Sequence, residues 1–504
     1  MILENGVIRT MDPALPVARA LAIAGDRVAG GVGTHETALA TPDRVDLGGR
    51  CVVPGFTDSH VHFPTWSLAQ QQVRLEGTAT LDEALGRIAA AARDVPPGRW
   101  LRGTGWRSGD WEPPAQPTKE ALDRVTGDTP AALMARDYHS LWLNSAALAR
   151  ANGELDVEGG VVVRDAGGEP TGVLREECAW HFRDTHVRPT EDEMVEASRD
   201  GVRIAVSRGV TCVHDKDGWL GALGVWQRLR DEGSLHLRVW QSIPADQVEH
   251  AAALHLHSGF GDGLIRVGYL KAFMDGTLGS QTARLLDGSG VEITSRDELV
   301  EIIRAGARAR LPVGVHAIGD LANRDALDAF EETRADWHGL RPRIEHAQLL
   351  AWDDVPRFGQ LGVAASVQFS HAPSDAGIAD RLWSGMTDRA YAYRSLWDAG
   401  ALVANGSDAP IEELDPWAGV VAAVSRVWHP EQRLTLDEAL LATTVNPAWL
   451  AGDEHRRGKL VPGYLADLVV LDRDPYEADD IANVNVVATM LGGRWTSNAP
   501  PWED

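Results

Sequence analysis

Cysteine is scarce in this chain, with three in 504 residues. Cys51, Cys178 and Cys212 stand too far apart for a disulfide framework or a thiolate metal knuckle, so buried free thiols are expected. Long apolar runs are missing as well. No stretch approaches the roughly 20 residues that span a bilayer, and a membrane is not an expected partner. The opening Met1-Ile2-Leu3-Glu4-Asn5-Gly6 lacks the basic and apolar regions of a signal peptide, and a cytoplasmic protein is expected. Positive charge is in short supply, with 48 Lys plus Arg against 73 Asp plus Glu and a net charge of −25. Nucleic-acid and anionic lipid surfaces concentrate basic charge, so nucleic acid is excluded as a partner too. Lysine is rarest of the charged residues: Lys119, Lys216, Lys271 and Lys459 are the only four. Codon usage is the ordinary explanation, and it makes each lysine that remains worth a look.

What is present is ordinary globular material, 24% charged and 44% hydrophobic. The length exceeds what one core usually supports, which predicts a large domain with appendages. Short β-like pieces fill 1–53, and two further strands are predicted at Ala466–Asp472 and Val484–Met490. Neither end can bury a core alone. Both are expected to join in one small β-sandwich made from 1–53 and 455–504. The middle, 54–454, carries eight β runs: Val53 to His62, Gly209–His214, Leu237–Trp240, Ile265–Lys271, Val313–His316, Arg343–His346, Gly362–Gln368 and Ala401–Gly406. Helical patterns separate many of them. The pattern predicts an α/β fold, a (β/α)₈ TIM barrel. A doubly wound sheet would not need eight strands, nor end most of them in polar residues. About 145 residues separate His62 from Gly209, far more than a crossover needs. An inserted subdomain is therefore expected at about 64–207. It holds Trp100, Trp106, Trp111, Trp142 and Trp180, and following strand 1 it reads as a substrate lid.

Chemistry-bearing residues sit at the strand ends. His60 and His62 are two apart, which on a strand places both imidazoles on one face, about 6–7 Å apart. Two neutral imidazoles so placed can chelate one divalent ion. His316 and His346 each end a predicted strand, where barrels keep their chemistry. Asp408 follows the last strand in Asn405-Gly406-Ser407-Asp408. It could ligate a metal and accept a proton from water whose pKa the metal has lowered. Lys271 ends an apolar strand. Unlike arginine, a lysine can lose its proton when desolvated. It could pair with Asp275, form a Schiff base, or take up CO₂ as a carbamate. Asp320 is expected to cap the following helix. Glu345 alternates with His346, so it is expected to point away from the barrel axis.

These residues resemble the metal site of the amidohydrolase superfamily: Pro54-Gly55-Phe56-Thr57-Asp58-Ser59-His60-Val61-His62, Lys271, His316, His346 and Asp408. Further runs are similar to its YtcJ-like branch, which includes N-substituted formamide deformylases. They are Leu270–Ser280, His316–Asp320, Arg343–Ala347 and, in the insert, His139–Leu148. The tail Gly463–Asp472 resembles the family's returning sandwich strand. The resemblance implies that His60, His62 and Asp408 hold one metal, His316 and His346 a second, and a Lys271 carbamate bridges them. It implies one or two divalent ions per chain, zinc by expectation, and a small-molecule substrate. His139, Trp142, His214, Gln368 and His371 are the candidate substrate contacts. The activity implied is hydrolysis of a non-peptide C–N bond, an amide or an N-formyl or N-acyl amine. A mononuclear aromatic-base deaminase of the same superfamily is the alternative, and a non-catalytic scaffold a lesser one. A homodimer is expected on frequency alone.

Overall fold

The computed structural model describes residues 1–29, 41, 43–135, 140–151, 154–158, 160–279 and 281–502. They form two compact units, Met1–Trp66 with Ser198–Asp504, and Ser67–Ala197. Among the described residues no helix is long and apolar enough to cross a membrane.

The first unit is built on eight parallel strands. They are β1 (Phe56–Val61), β2 (Val210–Asp215), β3 (Arg238–Pro244), β4 (Ile265–Phe273), β5 (Val313–Ala317), β6 (Arg343–His346), β7 (Ala364–Val367) and β8 (Val403–Asn405). Each pairs with its sequence neighbour, from β1 to β8. Their residues are buried almost throughout, as in a sheet covered on both faces. Helices such as Arg296–Arg308 and Asp320–Glu332 follow the strands and pack their apolar faces into the same core. This is a (β/α)₈ barrel. Its seam lies between β8 and β1, where the turn after β8 bonds directly to β1. Asp408 donates its backbone N–H to His60 O (2.7 Å), and His62 donates to Ala409 O (2.9 Å). Closing the barrel thus brings Asp408 beside the two histidines.

A small β domain is made from both ends of the chain. Cys51–Pro54 pairs antiparallel with Leu468–Leu471, with Val53 opposite Val469. Alternation divides these strands between two cores. Leu468, Val470 and Val52 face the sandwich interior, while Val469, Leu471, Cys51 and Val53 join the barrel core. A second sheet, carrying Ile2–Glu4 and Leu21–Ala24, completes the domain.

The second unit has a six-stranded sheet of its own. Trp106, Trp111 and Trp142 cluster in its core, with ring centroids 6.0–6.4 Å apart.

Candidate metal centre

The C-terminal ends of β1, β5 and β6 and the turn after β8 place five side chains in one cluster. His60 is fully buried. Its Nδ1 lies 2.8 Å from Glu345 Oε2 and its Nε2 3.2 Å from Asp408 Oδ1. The Nδ1 of His62 lies 2.8 Å from Asp217 Oδ1 and its Nε2 3.6 Å from Asp408 Oδ1. His346 donates from Nδ1 to Gln368 Oε1 at 2.8 Å. Its ring centre is 4.6 Å from that of His60 and 4.5 Å from that of His316. His316 donates from Nε2 to the Gly276 carbonyl at 3.0 Å, leaving Nδ1 as the nitrogen available to a ligand.

Two of these residues hold unusual backbone. His346 (φ 76°) and Asp408 (φ 57°) are both left-handed. Such conformations cost a non-glycine residue about 1–3 kcal/mol and gather at functional sites. For His346 the turn has a visible result. Arg343 and Glu345 occupy the inner face of β6, and the left-handed backbone lets the next side chain join the same cluster. Glu345 therefore corrects the expectation from alternation. It points inward, fully buried, between His60 and the Arg343 Nε at 2.9 Å.

Lys271 comes from β4 and is 3% exposed, and its Nζ has no hydrogen-bond partner among the described residues. Burial brings its pKa down to about 8. The weighed ion pair with Asp275 is not formed. Asp275 instead accepts the backbone N–H groups of Ile318, Gly319 and Arg284.

Electrostatics favour neutral rings around an ionised carboxylate. Burial, with the charge of Lys216 beside it, lowers His60 to about 4. Burial and Lys271 lower His316 to about 3. Burial and the neighbouring His316 and His60 rings hold His346 well below its usual range. Burial pushes the Asp408 carboxyl up, whereas positive charge beside it, on His60, His346 and His62, would hold it well below the normal carboxylate range, a pull that a bound cation supplies when those rings are neutral. His62 differs. Burial disfavours its charged form, yet the hydrogen bond and charge of Asp217 raise it above 6.5.

This donor set fits a divalent cation. Neutral imidazoles and an ionised carboxylate are the forms that bind metal. Metal-ligating histidines also donate their second N–H to a carboxylate or carbonyl. All four do so here, to Glu345, Asp217, Gly276 and Gln368. Among the described residues, His60, His62 and Asp408 form one group with ligand atoms within 4.8 Å of one another. His346, His371 and Asp408 form a second such group.

The candidate substrate contacts divide. His371 belongs to the cluster, its ring stacked 6.4 Å from His346 and its Nε2 3.9 Å from Asp408 Oδ2. Gln368 is buried and orients His346. His214 is fully buried on β2, where its Nδ1 accepts from Arg343 at 2.9 Å. Trp142 is buried in the second unit, and its indole N–H donates to Thr118 O. His139 lies outside the described residues. Asp320 is corrected too. Gly319 is the N-cap of the helix, and Asp320 accepts from Leu286 N and pairs with Arg389.

Sequence reasoning missed Glu345, Asp217 and Lys216. Only the rarity of lysine gave a signal for the last.

A family model described as the amidohydrolase family matches residues 43–496. The chain is similar to the putative amidohydrolase YtcJ of Bacillus subtilis, 32% identical over 93% of this chain and 94% of that protein. It is similar to the N-substituted formamide deformylase of Arthrobacter pascens, 28% identical over 98% of this chain and 97% of that one. An uncharacterized metal-dependent hydrolase from Pyrococcus furiosus has a solved structure that matches with a TM-score of 0.81 at 30% identity. The match covers 94% of this chain and 99% of that structure.

Proposed function

The chain belongs to the amidohydrolase family, and from that premise we propose that it hydrolyses a non-peptide carbon–nitrogen bond of a small molecule. The bond is an amide, or the N-formyl or N-acyl bond of an amine. The observation that carries this reading is the set of four strand-end imidazoles, each tied through one nitrogen to an acceptor while the rings surround Asp408. His60, His62 and Asp408 would hold one ion, and His316 and His346 a second. Zinc is the ion proposed, and Lys271, buried and with no hydrogen-bond partner among the described residues, is the residue that would bridge as a carbamate. When bound, the metal supplies Lewis acidity toward the carbonyl oxygen and lowers the pKa of water.

The chain's own residues do the rest. Asp408 is ionised at neutral pH and serves as general base for the water that attacks the carbonyl carbon. It returns that proton to the nitrogen as the C–N bond breaks. The products are a carboxylate and an amine. Gln368 and Gly276 hold the His346 and His316 rings in place. The formamide-deformylase relative supports the N-formyl choice.

A panel of N-formyl and N-acyl amines, assayed with defined metals, tests the reading. Turnover of at least one such amine is expected, with Asp408→Ala slower by about 10²–10⁴-fold, the usual worth of a general base. Equal turnover by wild type and Asp408→Ala would sink the proposal.

A further inference from the structure

The corner after β2, Asp215-Lys216-Asp217-Gly218-Trp219, has no part in the reaction described so far, yet it reaches His62 directly and His60 through Glu345. Lys216 is fully buried. Its Nζ lies among three oxygens: Glu345 Oε1 at 2.6 Å, the Tyr269 hydroxyl at 2.5 Å and the Ser59 carbonyl at 3.3 Å. One nitrogen held among three oxygens is a geometry that the planar five-donor fork of arginine does not reproduce. In an arginine-rich chain this is a specific use of lysine. The other oxygen of Glu345 takes the Nδ1 of His60. The next residue, Asp217, turns the opposite way. Its Oδ1 takes the Nδ1 of His62 at 2.8 Å, while its Oδ2 accepts from Thr65 N at 2.9 Å.

The corner is itself fixed. Lys216 donates its backbone N–H to Val61 O, and Asp215 accepts from Phe63 N and Trp226 Nε1. A side chain at Gly218 would meet Ser242 O at 2.7 Å and Pro244 Cδ at 2.9 Å, so the corner packs directly on β3. An imidazole has two neutral tautomers, and only the one with hydrogen on Nδ1 offers its Nε2 lone pair to a cation. Two carboxylate acceptors at Nδ1 select that tautomer and set both rings.

We infer that this single corner positions both His-x-His imidazoles for metal binding, Asp217 acting on His62 directly and Lys216 acting on His60 through Glu345. These are positioning residues, and the inference rests on reading His60 and His62 as metal ligands.

The test uses the full chain freed of metal, with the zinc ion alone as probe and a chromophoric chelator as competitor. Thermal unfolding of each metal-free variant is measured in parallel. Asp217→Ala is expected to bind zinc about 10–100-fold more weakly, the usual effect of removing such a partner. Asp217→Asn keeps an amide oxygen for His62 and is expected to recover part of that loss. Glu345→Gln and Lys216→Met should weaken zinc binding through His60. If Glu345→Gln does not fold, the Asp217 pair decides the matter alone. Zinc affinity within twofold of wild type in Asp217→Ala, with His62→Ala clearly impaired, overturns the positioning claim. If His62→Ala binds zinc as well as wild type does, the metal-site reading fails and takes this inference with it.

Discussion

At the scale of single residues, His62 is the imidazole that a proton and a metal contest near neutral pH. Asp217 raises it above 6.5, whereas His60 at about 4 and His316 at about 3 are already neutral. The sign follows directly. As pH falls through the raised value, His62 gains a proton that the metal must displace, and affinity drops. At higher pH that dependence disappears. Zinc binding at pH 6.5 is therefore expected to release roughly half to one proton, measured by titration calorimetry in buffers of different ionisation enthalpy. Release of about two or more would mean that the buried rings titrate at the ordinary imidazole value. Lys271 has its own signature. With its pKa down at about 8, it offers a neutral amine that CO₂ can trap. Growth or dialysis with ¹³C-bicarbonate should give a carbamate resonance that disappears in Lys271→Arg, since arginine stays charged. A wild-type protein without that resonance removes the bridging role.

At the scale of elements, the seam between β8 and β1 is the most exacting joint. A Cβ added at Gly406 would lie 2.4 Å from His60 N and 2.6 Å from His60 Cβ. Gly406→Ala must push β8 and its turn away from β1, and a loss of about 1–3 kcal/mol is expected from overpacking. Gly377, in the helix His371–Leu382, has nothing within 4 Å of an added Cβ. Gly377→Ala is expected to stabilise by about 0.5–1 kcal/mol. Urea unfolding of the two variants checks both signs, and equal effects would contradict this account of the seam. The eight strands were legible because buried parallel strands are continuous apolar runs, and because polar residues mark their ends. His60, His62, His316 and His346 were found on that logic. Glu345 was not, because alternation assumes regular backbone and His346 departs from it at φ 76°. Asp217 was invisible for another reason. Its role depends on a turn bringing it back to His62, 155 positions away in sequence, and no periodicity records that.

At the scale of the whole molecule, the two chain ends are structural parts of the barrel's support. Leu468–Leu471 sends Val469 and Leu471 into the barrel core and Leu468 and Val470 into the sandwich. A chain stopped after Ala466 loses one of the two strands that flank Cys51–Pro54 and uncovers both cores. It is expected to lack the cooperative unfolding transition of the full chain by circular dichroism, and an unchanged transition would show the sandwich to be dispensable. The most direct test of the central claim is metal removal and return. The purified chain, dialysed against a chelator and assayed on any N-formyl or N-acyl amine it hydrolyses, should lose turnover. Adding back a single divalent metal should restore it, with bound metal approaching two per chain and neither Lys271→Ala nor Asp408→Ala recovering. Hydrolysis that persists unchanged after the metal is gone would contradict the account.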